Sequence, residues 1–177
     1  SEDSPKLDFS TPQKYLLTES RIDFELYFSS VPTPSYTSSV YLEILKPKQG
    51  EVVLDLGSYC GLTVIDFLLE VGSKGFVLGV EADVHNYKYL IKNLENFSRL
   101  NPGYKFELAN LAISNKVGSE YFSNNQDMSS AIVDISPILH QPKDNYKIVN
   151  STNLSTLVEK YDLKKVDIIK ADIEGSE

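Results

Sequence analysis

Three apolar runs that each end in an acid set the pattern of the chain. They are Val52-Val-Leu-Asp55, Phe76-Val-Leu-Gly-Val-Glu81 and Val166-Asp-Ile-Ile-Lys-Ala-Asp172. Short runs of this kind are what strands buried on both faces look like. After the first run, Leu62, Ile65, Leu68 and Leu69 recur at helical spacing and predict a helix over 62–71. A second helix is expected from about Val84 to Phe97, and a strand from Tyr104 to Ala109. Asn115 to Gly118 reads as a turn between short strands, the second near Glu120 to Ser123. Residues 124–146 are polar, carry Pro137 and Pro142, and predict a long loop that is either functional or disordered. Lys147 to Ser151 reads as a strand, and Asn153 or Ser155 as the cap of a short helix ending near Tyr161.

Ahead of the first run, Thr11-Pro12 reads as the N-cap and first turn of a helix. Its apolar stripe would be Tyr15, Leu16, Ile22, Leu26 and Tyr27, and Pro32 and Pro34 would stop it. A further helix is expected from about Ser38 to Leu45, ended by Lys46-Pro47. The expected division is a helical segment over 1–50 and an α/β domain over 51–177. Strands alternating with helices give parallel βαβ units with right-handed crossovers. Asp55, Glu81 and Asp172 then stand along one edge of a mostly parallel sheet flanked by helices.

The turn after the first run carries the first chemical signal. Asp55-Leu-Gly-Ser-Tyr-Cys-Gly61 places glycines at the carboxyl end of a strand, where ligands of open parallel sheets sit. Gly57 can take a positive φ or admit a ligand close to the backbone. Gly61 lets the next helix start tight against the strand and present its free N–H groups. An ordinary buried turn explains the same glycines. The dinucleotide fingerprint needs its first glycine where Asp55 stands. A carboxylate there would face a pyrophosphate with like charge, which makes an NAD-dependent oxidoreductase a poor reading. It suits a ligand carrying an ammonium group, such as S-adenosylmethionine. Glu81 lies about 20 residues past the turn, where a nucleotide site places the carboxylate that accepts both ribose hydroxyls.

Composition narrows the classes. A length of 177 residues makes one domain the prior. A net charge of −8 and a pI of about 4.8 argue against a nucleic-acid partner. No stretch approaches the roughly 18 apolar residues of a membrane span. Ser1 to Ser10 hold no apolar signal core, so the expected setting is cytoplasmic. Cys60 is the one cysteine, so no intrachain disulfide forms, and neither histidine is near it in sequence. It reads as a small filler residue.

Four segments occur in order along the chain: Asp55 to Gly61, Gly79-Val-Glu-Ala-Asp83, Asn110-Leu-Ala-Ile-Ser114 and Ile169-Lys-Ala-Asp-Ile-Glu-Gly-Ser-Glu177. Together they resemble the FkbM family of S-adenosylmethionine-dependent methyltransferases. The resemblance covers roughly Gly50 to Glu177, and its most specific piece is Lys170 to Glu177. It implies a Rossmann-like class I methyltransferase, cut short after its fourth core strand, with the strand ending in Asp172 belonging inside a longer sheet. An exposed sheet edge of that kind would invite self-association. The resemblance further implies S-adenosylmethionine as cofactor and a hydroxyl of a sugar or secondary metabolite as acceptor. Asp55, Gly57, Ser58, Tyr59 and Gly61 would surround the methionine part. Glu81 and Ala82 would take the ribose, and Asn110 and Leu111 the adenine. Asp172 would lie beside the transferring methyl, with Glu174 the second choice for the catalytic acid; no metal is assigned. The family usually has Asn or His at the place of Tyr59 and Pro at that of Ala82. A non-catalytic module that keeps the cofactor site is the alternative reading, as is an Asp172 that only binds the cofactor ammonium.

Overall fold

The computed structural model describes residues 6–8, 13–16, 25–29, 34–123, 132 and 146–173. In chain order the elements are β1 (Lys6–Asp8), β2 (Gln13–Leu16), β3 (Glu25–Phe28), α1 (Pro34–Leu45), β4 (Val52–Leu56), α2 (Leu62–Val71), β5 (Phe76–Val80), α3 (Val84–Leu100), β6 (Phe106–Ala109), β7 (Ala112–Ile113), β8 (Gly118–Ser123), β9 (Tyr146–Thr152), α4 (Leu154–Lys160) and β10 (Ile168–Ala171).

Four of these strands make the central sheet, all parallel, in the order β10-β4-β5-β6. Read from β6, this is the 3-2-1-4 order of a Rossmann-like fold. Alternate residues of each strand feed two cores. Val53 and Val77 pack with α2 and α3, together with Leu26 and Phe28 of β3. Leu54, Leu56, Leu78 and Val80 pack with Ile113 and with Leu157 of α4. The two inner strands, β4 and β5, are apolar but for Asp55 and Gly79 because both their faces are covered. Among the described residues β10 pairs only with β4, and Ile169 on it is 46% exposed.

Among the described residues, the segment expected to form the first helix is strand instead. Gln13–Leu16 and Glu25–Phe28 are strands, paired antiparallel with each other and with β1. The reason is visible in β3: Leu26 and Phe28 are buried while Glu25 is exposed and Tyr27 lies between. That is a period of two, and a helix would scatter those side chains around its circumference. Asn93 of α3 holds this strand, accepting from the Tyr27 amide (2.8 Å) and donating to its carbonyl (2.8 Å). The next helix starts at Pro34, four residues before the expected Ser38; Pro at the first helical position loses no intrahelical hydrogen bond.

The turn expected at 115–118 does join two short strands, β7 and β8. The two do not pair with each other, because β9 inserts between them, parallel to β7 and antiparallel to β8. Among the described residues, no helix is long and apolar enough to cross a membrane.

Candidate cofactor site

β4 must turn sharply to begin α2, and Gly57 (φ +76°), Tyr59 (φ +49°) and Gly61 (φ +91°) all take left-handed backbone there. Gly57 is constrained twice, since a Cβ on it would lie 1.9 Å from the Asp172 carbonyl oxygen. The close approach expected of a ligand is made by the end of β10. A Cβ on Gly61 would meet Leu90 Cδ1 at 2.5 Å, so this glycine seats the start of α2 against α3. Tyr59 pays for its strained backbone with two bonds. Its amide donates to Glu81 Oε2 (2.8 Å), and its hydroxyl shares a hydrogen bond with Ser29 Oγ (2.9 Å). Ser58 faces the sheet, donating to the Asp55 carbonyl (2.7 Å) and accepting from the Val80 amide (3.0 Å).

The two strand-end acids meet different surroundings. Asp55 is fully buried. Its Oδ2 accepts from the Thr63 hydroxyl. Its Oδ1 lies 3.0 Å from Lys170 Nζ, an ion pair outside hydrogen-bond geometry that leaves this oxygen without a hydrogen bond. Lys170 is itself buried and donates to the Gly57 carbonyl (2.7 Å). Glu81 is 7% exposed and, among the described residues, has no cation within ion-pair distance. Each of its oxygens accepts one backbone N–H at 2.8 Å, Oε2 from Tyr59 and Oε1 from Asp83. Burial pushes its carboxyl up to about 7, against the lowering effect of those two amides. Cys60, in the same turn, is buried and its thiol is pushed up to about 12 by that burial, so it stays protonated and fills space.

The third acid stands at the mouth. Asp172 has a side chain 46% exposed, and its Oδ2 accepts from the Tyr41 hydroxyl of α1 (2.9 Å) and lies 4.0 Å from Lys170 Nζ. Burial first, and the Asp172 carboxylate second, push the Tyr41 hydroxyl up to about 12, which keeps it a donor.

The strand ends open on a cleft enclosing about 620 Å³ of empty space, open solvent included. Of the residues singled out in the sequence, Gly57, Tyr59, Glu81, Ala82, Leu111 and Asp172 line it. Asp55, Ser58, Gly61 and Asn110 do not. Asn110 donates to the carbonyls of Glu81 (2.8 Å) and Ala82 (3.0 Å) and so fixes the chain beyond β5. Glu174 lies outside the described residues, as does all of the expected loop 124–146 except Ile132 and Tyr146.

Sequence reasoning missed several contributors. Val80, Ala112, Ile113, Phe122 and Ile132 give the cleft an apolar wall. Val80, Ala112 and Ile113 fall inside segments that carry the family resemblance, whereas nothing local marks Phe122 and Ile132, which pair with each other. Asn86 also lines the cleft and accepts from Ser29 Oγ (2.6 Å). Its signal was a polar residue in the first turn after the strand-end acid. Asp83, which caps that helix by accepting from the His85 (2.6 Å) and Asn86 (3.2 Å) amides, also pairs with Lys147 of β9 at 3.3 Å.

The arrangement fits a nucleoside. Each Glu81 oxygen keeps a lone pair after its amide bond, and a buried carboxylate beside an apolar wall is suited to two neutral hydroxyl donors. A 3-2-1-4 parallel sheet with a glycine turn after its first strand and an acid after its second defines a Rossmann-like nucleotide-cofactor protein. The family model described as the methyltransferase FkbM domain matches residues 55–177, and the chain belongs to that family, which is one of S-adenosylmethionine-dependent methyltransferases.

Among solved structures the chain is similar to a SAM-dependent methyltransferase from Aquifex aeolicus, at 22% identity over 42% of this chain and 37% of that one, with a TM-score of 0.35. It is also similar to a protein-L-isoaspartate O-methyltransferase, at 18% identity over 61% and 29% with a TM-score of 0.38. A third is coclaurine N-methyltransferase bound to N-methylheliamine and SAH, at 19% identity over 48% and 28% with a TM-score of 0.34. The chain thus spans well under half the length of each. No curated protein matches the chain significantly.

Proposed function

We propose that the cleft binds S-adenosylmethionine and serves methyl transfer to a hydroxyl of a small molecule, a sugar or a secondary metabolite. Glu81 carries this reading: a buried carboxylate, free of any cation partner among the described residues, lines the cleft just past β5. It would accept the ribose hydroxyls. Leu111, Ile113 and Phe122 would pack on the adenine, with Asn110 holding the backbone in place for it. Gly57 and Tyr59 would border the methionine end. The cofactor supplies an electrophilic methyl, and transfer from a sulfonium is an in-line displacement governed largely by positioning of the acceptor oxygen. Asp172, with Glu174 the second choice, would orient the acceptor hydroxyl or take its proton; the same carboxylate can instead hold the cofactor.

Calorimetry with S-adenosylmethionine, S-adenosylhomocysteine and NAD tests the assignment. The two adenosyl-sulfur ligands should bind and NAD should not. Tighter binding of NAD would sink it.

A further inference from the structure

The sequence points to Asp55 as the carboxylate for the ligand's ammonium, but the structure gives that acid another partner. Asp55 is fully buried, absent from the cleft lining, and already faced by the Lys170 ammonium at 3.0 Å. A second cation would meet Lys170 as a like charge. Asp172 is in the opposite position. It lines the cleft, its side chain is half exposed, and it lies against Gly57 at the glycine turn. Its two oxygens are sorted. Oδ2 takes the Tyr41 hydroxyl at 2.9 Å and has Lys170 at 4.0 Å, while Oδ1 has no hydrogen bond among the described residues. Lys170 is thus shared between two carboxylates and neutralises one unit of their charge. The remaining negative charge is reachable from the cleft only at Asp172.

We propose that Asp172, oriented by Tyr41, is the group that receives the α-ammonium of the cofactor, and that Asp55 does not. Tyr41 is then a positioning residue, supplied by α1 from outside the family-matched residues 55–177. The proposal rests on the cofactor assignment above. Lys170 acts as an internal cation that settles which acid stays available.

Two probes separate the ends of the ligand. S-adenosylhomocysteine carries the α-ammonium, whereas 5′-deoxy-5′-methylthioadenosine keeps the adenosine and sulfur without it. Their dissociation constants are measured by calorimetry on the whole chain and on Asp172→Asn and Tyr41→Phe, each checked for folding by circular dichroism. Asp172→Asn should weaken S-adenosylhomocysteine roughly ten- to a hundredfold, as loss of a charge-assisted bond does, and leave methylthioadenosine unchanged. Tyr41→Phe should weaken S-adenosylhomocysteine several-fold with methylthioadenosine again unchanged. Unchanged affinity for S-adenosylhomocysteine in Asp172→Asn, or an equal loss for both probes, overturns the proposal. Failure of the unsubstituted chain to bind either probe would instead overturn the cofactor assignment itself.

Discussion

Asp55 and Glu81 stand near the carboxyl ends of adjacent parallel strands, Asp55 within β4 opposite Gly79 and Glu81 just past β5. Each follows an apolar run, and each is buried. They differ in what neutralises them. Asp55 has a cation, Lys170, and a hydroxyl, Thr63, and it is shut away from the cleft. Glu81, among the described residues, is held by two backbone amides beside an apolar wall, with no cation in ion-pair contact, and it lines the cleft. A buried charge with an internal counter-ion supports the fold, because removing either partner strands the other. A buried charge held only by amides keeps capacity for an outside donor. The counter-ion, not the strand position, separates the structural acid from the ligand-binding one.

The largest effect that could break this comparison is expected at Lys170. Lys170→Met leaves Asp55 buried without its cation and should destabilise the protein by about 3–5 kcal/mol, read by urea unfolding. Adding Asp55→Asn should recover part of that loss. A Lys170→Met variant as stable as the parent would show that the pair does not hold β10 to β4. Next in size, Thr63→Val removes the hydroxyl bonded to Asp55 Oδ2 and should destabilise by about 1.5–3 kcal/mol. The affinity for S-adenosylhomocysteine should stay within twofold of the parent. A large loss of affinity would place Asp55 back among the ligand-facing groups.

Glu81→Ala should do the reverse, weakening S-adenosylhomocysteine at least about tenfold, since one decade is about 1.4 kcal/mol and two charge-assisted hydroxyl bonds are lost. An unchanged dissociation constant would remove Glu81 from the ribose. The smallest effect concerns pH. Burial raises the Glu81 carboxyl from its ordinary value to about 7. The folded protein therefore holds a proton there that the unfolded chain has lost, and this acid lowers stability progressively as pH rises from about 4.5 to about 7. Ribose hydroxyls donate to the ionised form, so binding should release the proton. Affinity for S-adenosylhomocysteine should rise several-fold between pH 6 and 8, and Glu81→Gln should abolish the rise. A flat profile in the unsubstituted protein would mean that the cleft leaves Glu81 ionised throughout.

The part of the chain from β4 to α3 was legible because its signals are local. The apolar runs, the helical spacing after Gly61 and the glycines of the turn all lie within one βαβ unit. The N-terminal strands are harder to read, because Tyr15, Leu16, Ile22, Leu26 and Tyr27 also fit a helical stripe and the alternation of Leu26 and Phe28 spans a single short strand. A strand as short as β3 is decided by its neighbours, β2 and Asn93, and both are distant in sequence. The same holds in the site. The turn and both acids of the first βαβ unit could be read from spacing, but the identity of the counter-ion could not. Lys170 sits in an apolar strand whose register against β4 puts it beside Asp55. Tyr41 reaches Asp172 from a helix that carries no motif.

The joining of β10 to β4 has a kinetic consequence. Lys170 bonds the Gly57 carbonyl across 113 residues of chain. Closing a loop of that length carries an entropy penalty of about 4 kcal/mol, and contacts of such separation slow folding. The β4–β5 unit, by contrast, closes locally through α2. The mouth of the cleft should therefore assemble after its floor, with Asp55 hydrated until Lys170 arrives. Pulse-labelled hydrogen exchange during refolding can read this order. The Glu81 amide, bonded to the Ala109 carbonyl, should gain protection before the Asp172 amide, bonded to that of Leu56. Simultaneous protection would refute the sequence of events. If the order holds, the cofactor meets a half-built site early in folding and a complete one only at its close.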